Sequence, residues 1–519
     1  MITRATAVTV LAISTTALAG GKLEPDDLPG PQPEVTTSPA KVAVPPVPAF
    51  ELPASEPGFH GPRELRVRGK SVLGTEIKVK GYVTWIYNCA AALAASNPKA
   101  TQAQILVSID NDPTLCERPK LYLGDTKATP ADASIWVVDV PRPPSKRERE
   151  QAPKTGAPAW PAVPKVAVGD FVVVSGTWAT ESPHGEHNTS GLLIYRGLDR
   201  ANPATAPAAA TAPDVAPEPD VTIVTKPPLR AHVANDARDA SISHLNSCIK
   251  SINARKLDSA IAACEASVQA WDGNHLAWYT LASAHMAKSE WPQAQAAVEH
   301  AVAQRPDQGM YQLYYGISLY EALHASKVAK PPADPVPTAA PPTLDQARDA
   351  LRRATKLAPE LWRAHYYLGR AYRDVDDAKH AAEQFAQTIA THPVYAPGYI
   401  ALTELYRRWG YVDEALAVAT LGTANVPASD AADVWFELGM AQDAKHADAA
   451  AIEAFSKAIA GKPNDPTPKF QRGQLYYKKG DFAGAKRDLD DVAQSTDPRS
   501  ATMKPIATQL LAKIASKPH

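Results

Sequence analysis

The chain has 519 residues, a formal net charge of −1, 48 prolines and four cysteines. That length exceeds what one hydrophobic core organises, so two or more domains are expected. The near-neutral balance argues against a chain built to coat nucleic acid, and the clustering of proline points to linkers between folded segments.

Residues 1–20 read as an export signal. Arg4 gives a positive start, Ala5 to Ala17 is mostly apolar, and Ala17-Leu18-Ala19 fits a small-x-small cleavage site. The run is too short to span a bilayer, and no later segment is apolar enough to do so. The sequence therefore predicts an exported chain, periplasmic or secreted. Residues 21–57, with "PQPEVTTSPAKVAVPPVPAFELP", keep neither a helical nor a strand period and are expected to form an extended, disordered tether. Residues 201–240, rich in Ala and Pro, read as a second linker.

Between them, residues 58–200 alternate as β-strands do. "TEIKVKGYVTWIY" and "VGDFVVVSGTW" carry the clearest period, and "AQILVSID", "PKLYLGD", "ASIWVVDV" and "GLLIYRGL" are further strand candidates. Gly81, inside the first strand, marks a place where a barrel bends sharply. On "IKVKGYV" and "VGDFVVVSG" this region resembles an OB-fold, which implies a five-stranded β-barrel. The proline-broken loop between Pro141 and Pro164 departs from that pattern, because many OB-folds carry a helix there.

After residue 240 the chain repeats itself. Alanine returns at 260, 294, 347, 381, 415, 451 and 485, mostly at 34-residue intervals. A helix stop follows each alanine, at Asp272, Pro306, Pro359, Pro393, Pro427, Pro463 and Asp497. Small pairs such as Leu368-Gly369 and Leu438-Gly439 precede it. This resembles the tetratricopeptide repeat, a helix–turn–helix of 34 residues, and implies seven repeats over 241–497. Glycine or alanine in the first helix lets the second approach. A larger residue (Val298, Leu351, Phe385 or Phe455) fills the gap toward the next repeat. A disordered insertion is expected at 325–343, a shortened turn in repeat one, and a capping helix within 498–519. The fold class is thus a small OB-like β-barrel followed by an all-α solenoid.

The resemblance also implies a partner groove along the first helices. Carried over position by position, it takes in Tyr279, Met286, Leu313, Ile317, Tyr320, Arg363, Tyr366, Arg370, Arg373, Ile400, Arg407, Arg408, Phe436, Met440, Phe470 and Tyr477. Arginines among aromatic and apolar side chains suit a protein or extended peptide with acidic and apolar groups. Cys89 and Cys116 fall in one domain and Cys248 and Cys264 in another. In an exported chain each pair is a candidate disulfide.

Two other readings have less behind them. Trp85, Tyr87, Tyr122, Trp136, Trp178 and Tyr195 could stack the bases of single-stranded nucleic acid, but basic and acidic residues nearly balance in that region. His184, Glu186 and His187 could serve an unrecognised enzyme site, but the segment offers no helix and no fourth metal ligand. No phosphate loop, nucleophile elbow or zinc-protease motif occurs, so the expectation is a non-catalytic adaptor that binds no cofactor and no metal.

Overall fold

A computed structural model describes residues 42–52, 56–97, 99–112, 115–142, 144, 146–151, 161–201, 218–224, 234–326 and 342–516. The expected export signal, most of both expected tethers and most of the expected insertion lie outside these residues. Two compact units are present, a β-rich one built on residues 49–218 and a helical one built on residues from 219 onward.

In the β-rich unit, strands β1 (Glu76–Ile86), β2 (Leu121–Gly124), β3 (Ile135–Val138), β4 (Phe171–Glu181) and β5 (His187–Arg200) close a barrel in the order β1-β2-β3-β5-β4. Every pairing is antiparallel except β3 with β5. The core joins Val79, Val83, Leu123, Val137, Val174 and Trp178, drawn from four strands whose alternate side chains point inward. At Gly81 a Cβ would stand 2.9 Å from Pro62 Cγ and 3.1 Å from the Gly124 carbonyl oxygen. Helix α1 (Pro62–Arg68) and β2 therefore close in on β1 where glycine leaves room.

One expected strand is a helix. "AQILVSID" belongs to α3 (Gln102–Asn111), which follows α2 (Cys89–Ser96) in the excursion between β1 and β2. Its β-branched residues suggested a strand, but Thr101 and Gln104 form a reciprocal capping box at its start. Only Ile105 of its side chains is buried, so no two-sided packing demands a strand. The excursion is tied at its base by a disulfide between Cys89 and Cys116. A one-and-a-half-turn helix, α4 (Lys146–Gln151), lies in the charged loop.

The helical unit consists of hairpins. The first pairs α5 (Asn235–Asn253) with α6 (Leu257–Ala270), and the second α7 (His275–Ala287) with α8 (Trp291–Gln304). The third pairs α9 (Gly309–Ser326) with α10 (Leu344–Leu357), and the fourth α11 (Trp362–Asp374) with α12 (Ala378–Thr391). The fifth pairs α13 (Ala396–Arg408) with α14 (Val412–Asn425), and the sixth α15 (Ala432–Ala444) with α16 (Asp448–Gly461). The seventh pairs α17 (Pro466–Lys479) with α18 (Phe482–Gln494), and α19 (Lys504–Ala515) covers it through a cluster that includes Leu489, Val492 and Ala507. Among the described residues these are seven hairpins. The first begins at Asn235, earlier than the linker boundary expected at 240.

The repeating contact is visible atom by atom. All seven recurring alanines are fully buried. A Cβ on Gly369 would meet Phe385 at 2.7 Å, one on Gly439 would meet Phe455 at 2.6 Å, and one on Gly473 would meet Leu489 at 3.0 Å. Each glycine precedes its partner by sixteen residues. Cys248 and Cys264 are also sixteen apart, and they are disulfide-bonded with Cα atoms 5.2 Å apart. In the first hairpin a covalent bond takes the place that glycine packed on phenylalanine or leucine holds in the fourth, sixth and seventh.

The hairpin turns share a further feature. Arg255, Ser289, Asp376, Gly410, His446 and Gly480 all have φ between 57° and 80°, in the left-handed region. Arg255 and Ser289 are 34 residues apart, so the turn of repeat one is not shortened. The apolar set Leu245, Ile249 and Ile252 is buried with an ordinary turn after it. Four of the six positions are not glycine, and each such residue costs about 1–2 kcal/mol. Ser289 is exposed, so Ser289→Gly relieves that strain without loss of packing. The glycine gives back part of the gain as unfolded-state entropy. The substitution is expected to raise stability by about 0.5–1 kcal/mol in a denaturant titration.

Candidate partner-binding groove

The first helices of successive hairpins (α7, α9, α11, α13, α15 and α17) carry the predicted groove residues, and the structure divides them. Tyr279, Leu313, Ile317, Tyr320 and Phe470 are buried, with at most 6% of their surface exposed. They belong to the packing between helices and do not present themselves to a partner. The spacing identified the right helix face, but the neighbouring hairpin covers it. Tyr279, for example, packs against Tyr311 and Tyr314 of α9. Met286, Arg363, Tyr366, Arg370, Arg373, Ile400, Arg407, Arg408, Phe436, Met440 and Tyr477 are half-buried.

Arg370 is a special case. Its Nη1 donates to Glu321 Oε1 at 2.9 Å, and its guanidinium lies 4.6 Å from the ring centre of Tyr320 and 5.0 Å from that of Tyr367. Tyr366 is a third neighbouring ring. Burial pulls its pKa down, but Tyr320, Glu321 and Tyr367 outweigh that and the net shift is upward. At neutral pH the phenols are uncharged, so Glu321 supplies the countercharge. Burial pushes the pKa values of Tyr320 and Tyr367 above the usual phenol range. The Tyr320 hydroxyl donates to Asp374 Oδ2 at 2.7 Å, which also accepts from His324 if that nitrogen is protonated. This cluster fastens α9 to α11. Arg370, expected to grip a partner's carboxylate, already grips one of its own chain.

A cleft of about 220 Å³ opens further along the same row of helices. Ile400 of α13 and Phe436 of α15 line it with Ala432, Asp433, Lys462, Thr467 and Pro468. Lys462 Nζ pairs with Asp433 Oδ2 at 2.6 Å on its rim. Two predicted apolar positions from successive first helices therefore meet in one concavity with a polar edge. Sequence reasoning missed Asp433 and Lys462, since the lysine sits after a second helix and its partner 29 residues earlier.

The barrel aromatics also separate. Trp178 is fully buried in the core. Trp85, Tyr122 and Trp136 stand in cross-strand register on β1, β2 and β3, with ring centres 4.7 Å and 5.9 Å apart. Beside Tyr122, Lys120 pairs with Glu117 and Glu186, so acids outnumber the base. That balance does not favour a phosphate chain. His184 Nδ1 lies 2.8 Å from Asp139 Oδ1, and no cluster of three metal-ligating side chains occurs among the described residues.

Stacked antiparallel hairpins with a small residue at each crossing define a helical-repeat solenoid. The tetratricopeptide repeat family model matches residues 279–322 and 344–396. Those residues thus carry tetratricopeptide repeats, within a helical solenoid that follows a closed five-stranded, OB-like barrel in the sequence, and such solenoids are protein-interaction scaffolds. Among solved structures, a tetratricopeptide repeat protein from Parabacteroides merdae ATCC 43184 is 11% identical, with 54% of this chain and 100% of that one covered and a TM-score of 0.37. PilW, a type IV pilus biogenesis factor, is 15% identical, with 43% and 94% covered and a TM-score of 0.35. A chain of the APC/C hetero-tetramer Cut9-Hcn1 is 15% identical, with 54% and 53% covered and a TM-score of 0.36. No curated protein matches the chain. Among the described residues no helix is long and apolar enough to cross a membrane.

Proposed function

We propose that this chain is an exported, non-catalytic adaptor that holds an extended segment of a partner protein in the cleft between its fifth, sixth and seventh hairpins. The observation that carries the reading is the convergence of half-exposed Ile400 and Phe436 beside the Asp433–Lys462 pair. An apolar side chain fits between the first two, and the polar rim offers a donor and an acceptor for the partner's backbone. Arg363 and Arg373 lie on the same row of helices and favour acidic groups on the partner. Export is supported by the amino-terminal pattern and by the pairing of all four cysteines, which persists in oxidising compartments.

Phe436→Asp puts a charge where the apolar anchor would sit. It is expected to reduce recovery of the partner in a crosslinking pulldown from the native envelope at least ~10-fold, a change of about 1.4 kcal/mol. Helicity at 222 nm should be retained. Undiminished recovery with a folded variant would falsify the cleft as the binding site. Export is tested separately by the mass of the mature chain. Cleavage after Ala19 supports it, and a cytoplasmic chain that keeps Met1 removes it.

A further inference from the structure

Part of the second linker is not free. Residues 218–224 have no regular secondary structure, yet Pro219 and Asp220 are held on α10. Arg352 Nη2 donates to the Pro219 carbonyl at 2.9 Å, and Lys356 Nζ pairs with the Asp220 carboxylate. Val221, the next residue, is buried. Arg352 and Lys356 are four apart on the helix and so share one face. Two groups are thus engaged by the helix in order, a proline carbonyl and a carboxylate, and the small branched apolar side chain that follows them is buried.

The same order occurs elsewhere in the sequence. Residues 217–222 read Pro-Glu-Pro-Asp-Val-Thr, and residues 31–36 read Pro-Gln-Pro-Glu-Val-Thr. Proline stands first and third, an acid fourth, valine fifth and threonine sixth in both. Glu34 is one methylene longer than Asp220, a difference that the flexible lysine stem absorbs.

We propose that this face of α10 is a docking site for a Pro-acid-Val segment, occupied here by residues 219–221, and that residues 31–36 are its alternative occupant. The bound segment is exchangeable. The Asp220 side chain is 82% exposed and that of Lys356 40%, so their ion pair is screened by solvent and weak. What holds the segment is one valine, one backbone hydrogen bond and its covalent linkage to the solenoid, which keeps its local concentration high. A second segment with the same groups competes by the same route. This site lies on a second helix of a hairpin and is separate from the proposed cleft.

The test uses the full chain and a labelled peptide of residues 29–38, followed by fluorescence anisotropy. Asp220→Ala with Val221→Ala empties the site, and this variant should bind the peptide at least tenfold more tightly than the unaltered chain. Adding Lys356→Glu, a change at a half-exposed side chain, should weaken binding about threefold. So should Glu34→Lys in the peptide. No saturable binding to the emptied chain overturns the proposal, as does binding indifferent to Lys356→Glu. Binding of a peptide of residues 216–224 but not of 29–38 also overturns the alternative occupant.

Discussion

Arg370→Ala is expected to lower the stability of the helical unit by about 3 kcal/mol, the cost of removing one member of a buried pair. The Arg370 and Glu321 side chains are only 12% and 20% exposed. Truncation leaves a carboxylate in a site made for an ion pair and strips three tyrosine rings of their cation. Arg370→Lys separates the contributions. Lysine keeps the charge but loses the planar group that stacks on the rings, so it should recover roughly half of the loss. Denaturant titration followed by helical circular dichroism reads both. A loss under about 1 kcal/mol for the alanine variant would mean that the cluster is incidental to stability. The same reasoning bars Arg370 from use as a binding probe, because reduced partner capture would follow from damaged packing between α9 and α11.

The repeat architecture was legible because its physics is local and periodic. Small residues must recur where helices cross, and the seven alanines and the glycines of α11, α15 and α17 occupy those crossings. The left-handed turn was not legible, although Gly410 and Gly480 mark its phase, because serine, arginine, aspartate and histidine hold the same φ at the other turns. Helical spacing placed Arg370 on the correct face. What it could not show is that Tyr320 and Glu321, about fifty residues earlier and on the far side of the insertion that lengthens one interval between alanines, come to lie against it. Tyr279 and Tyr320 failed as groove residues for the same reason, since burial is decided by the neighbouring hairpin. In the barrel the long strands declared themselves by alternation. Helix α3 did not, because a run such as "ILVSI" suits either state and only its capping box decides. The docked segment at 219–221 was hidden inside a composition that reads as linker.

Trp178→Ala should destabilise the barrel by about 4 kcal/mol, the range for emptying a fully buried aromatic site. The indole lies in the barrel core and meets two close backbone approaches. A Cβ on Gly69 would lie 2.7 Å from its Nε1, and one on Gly191 only 2.1 Å from its Cζ2. The indole N–H has no hydrogen-bond partner among the described residues, so part of the packing gain is offset by a desolvated donor. Trp178→Phe removes that donor and leaves a smaller void, and should cost only about 1–2 kcal/mol. Hydrogen exchange of the β1 and β4 amides in the full chain reads the effect. Gly191→Ala supplies the complementary test. At φ 102° an alanine is strained, and its methyl also collides with the indole. Removal of the indole relieves the collision but not the strain. Gly191→Ala should therefore cost less in the Trp178→Ala background than alone, by about 1–3 kcal/mol. Additive costs would show that the two residues do not meet, and the barrel core would then be closed by some contact other than tryptophan laid against bare backbone.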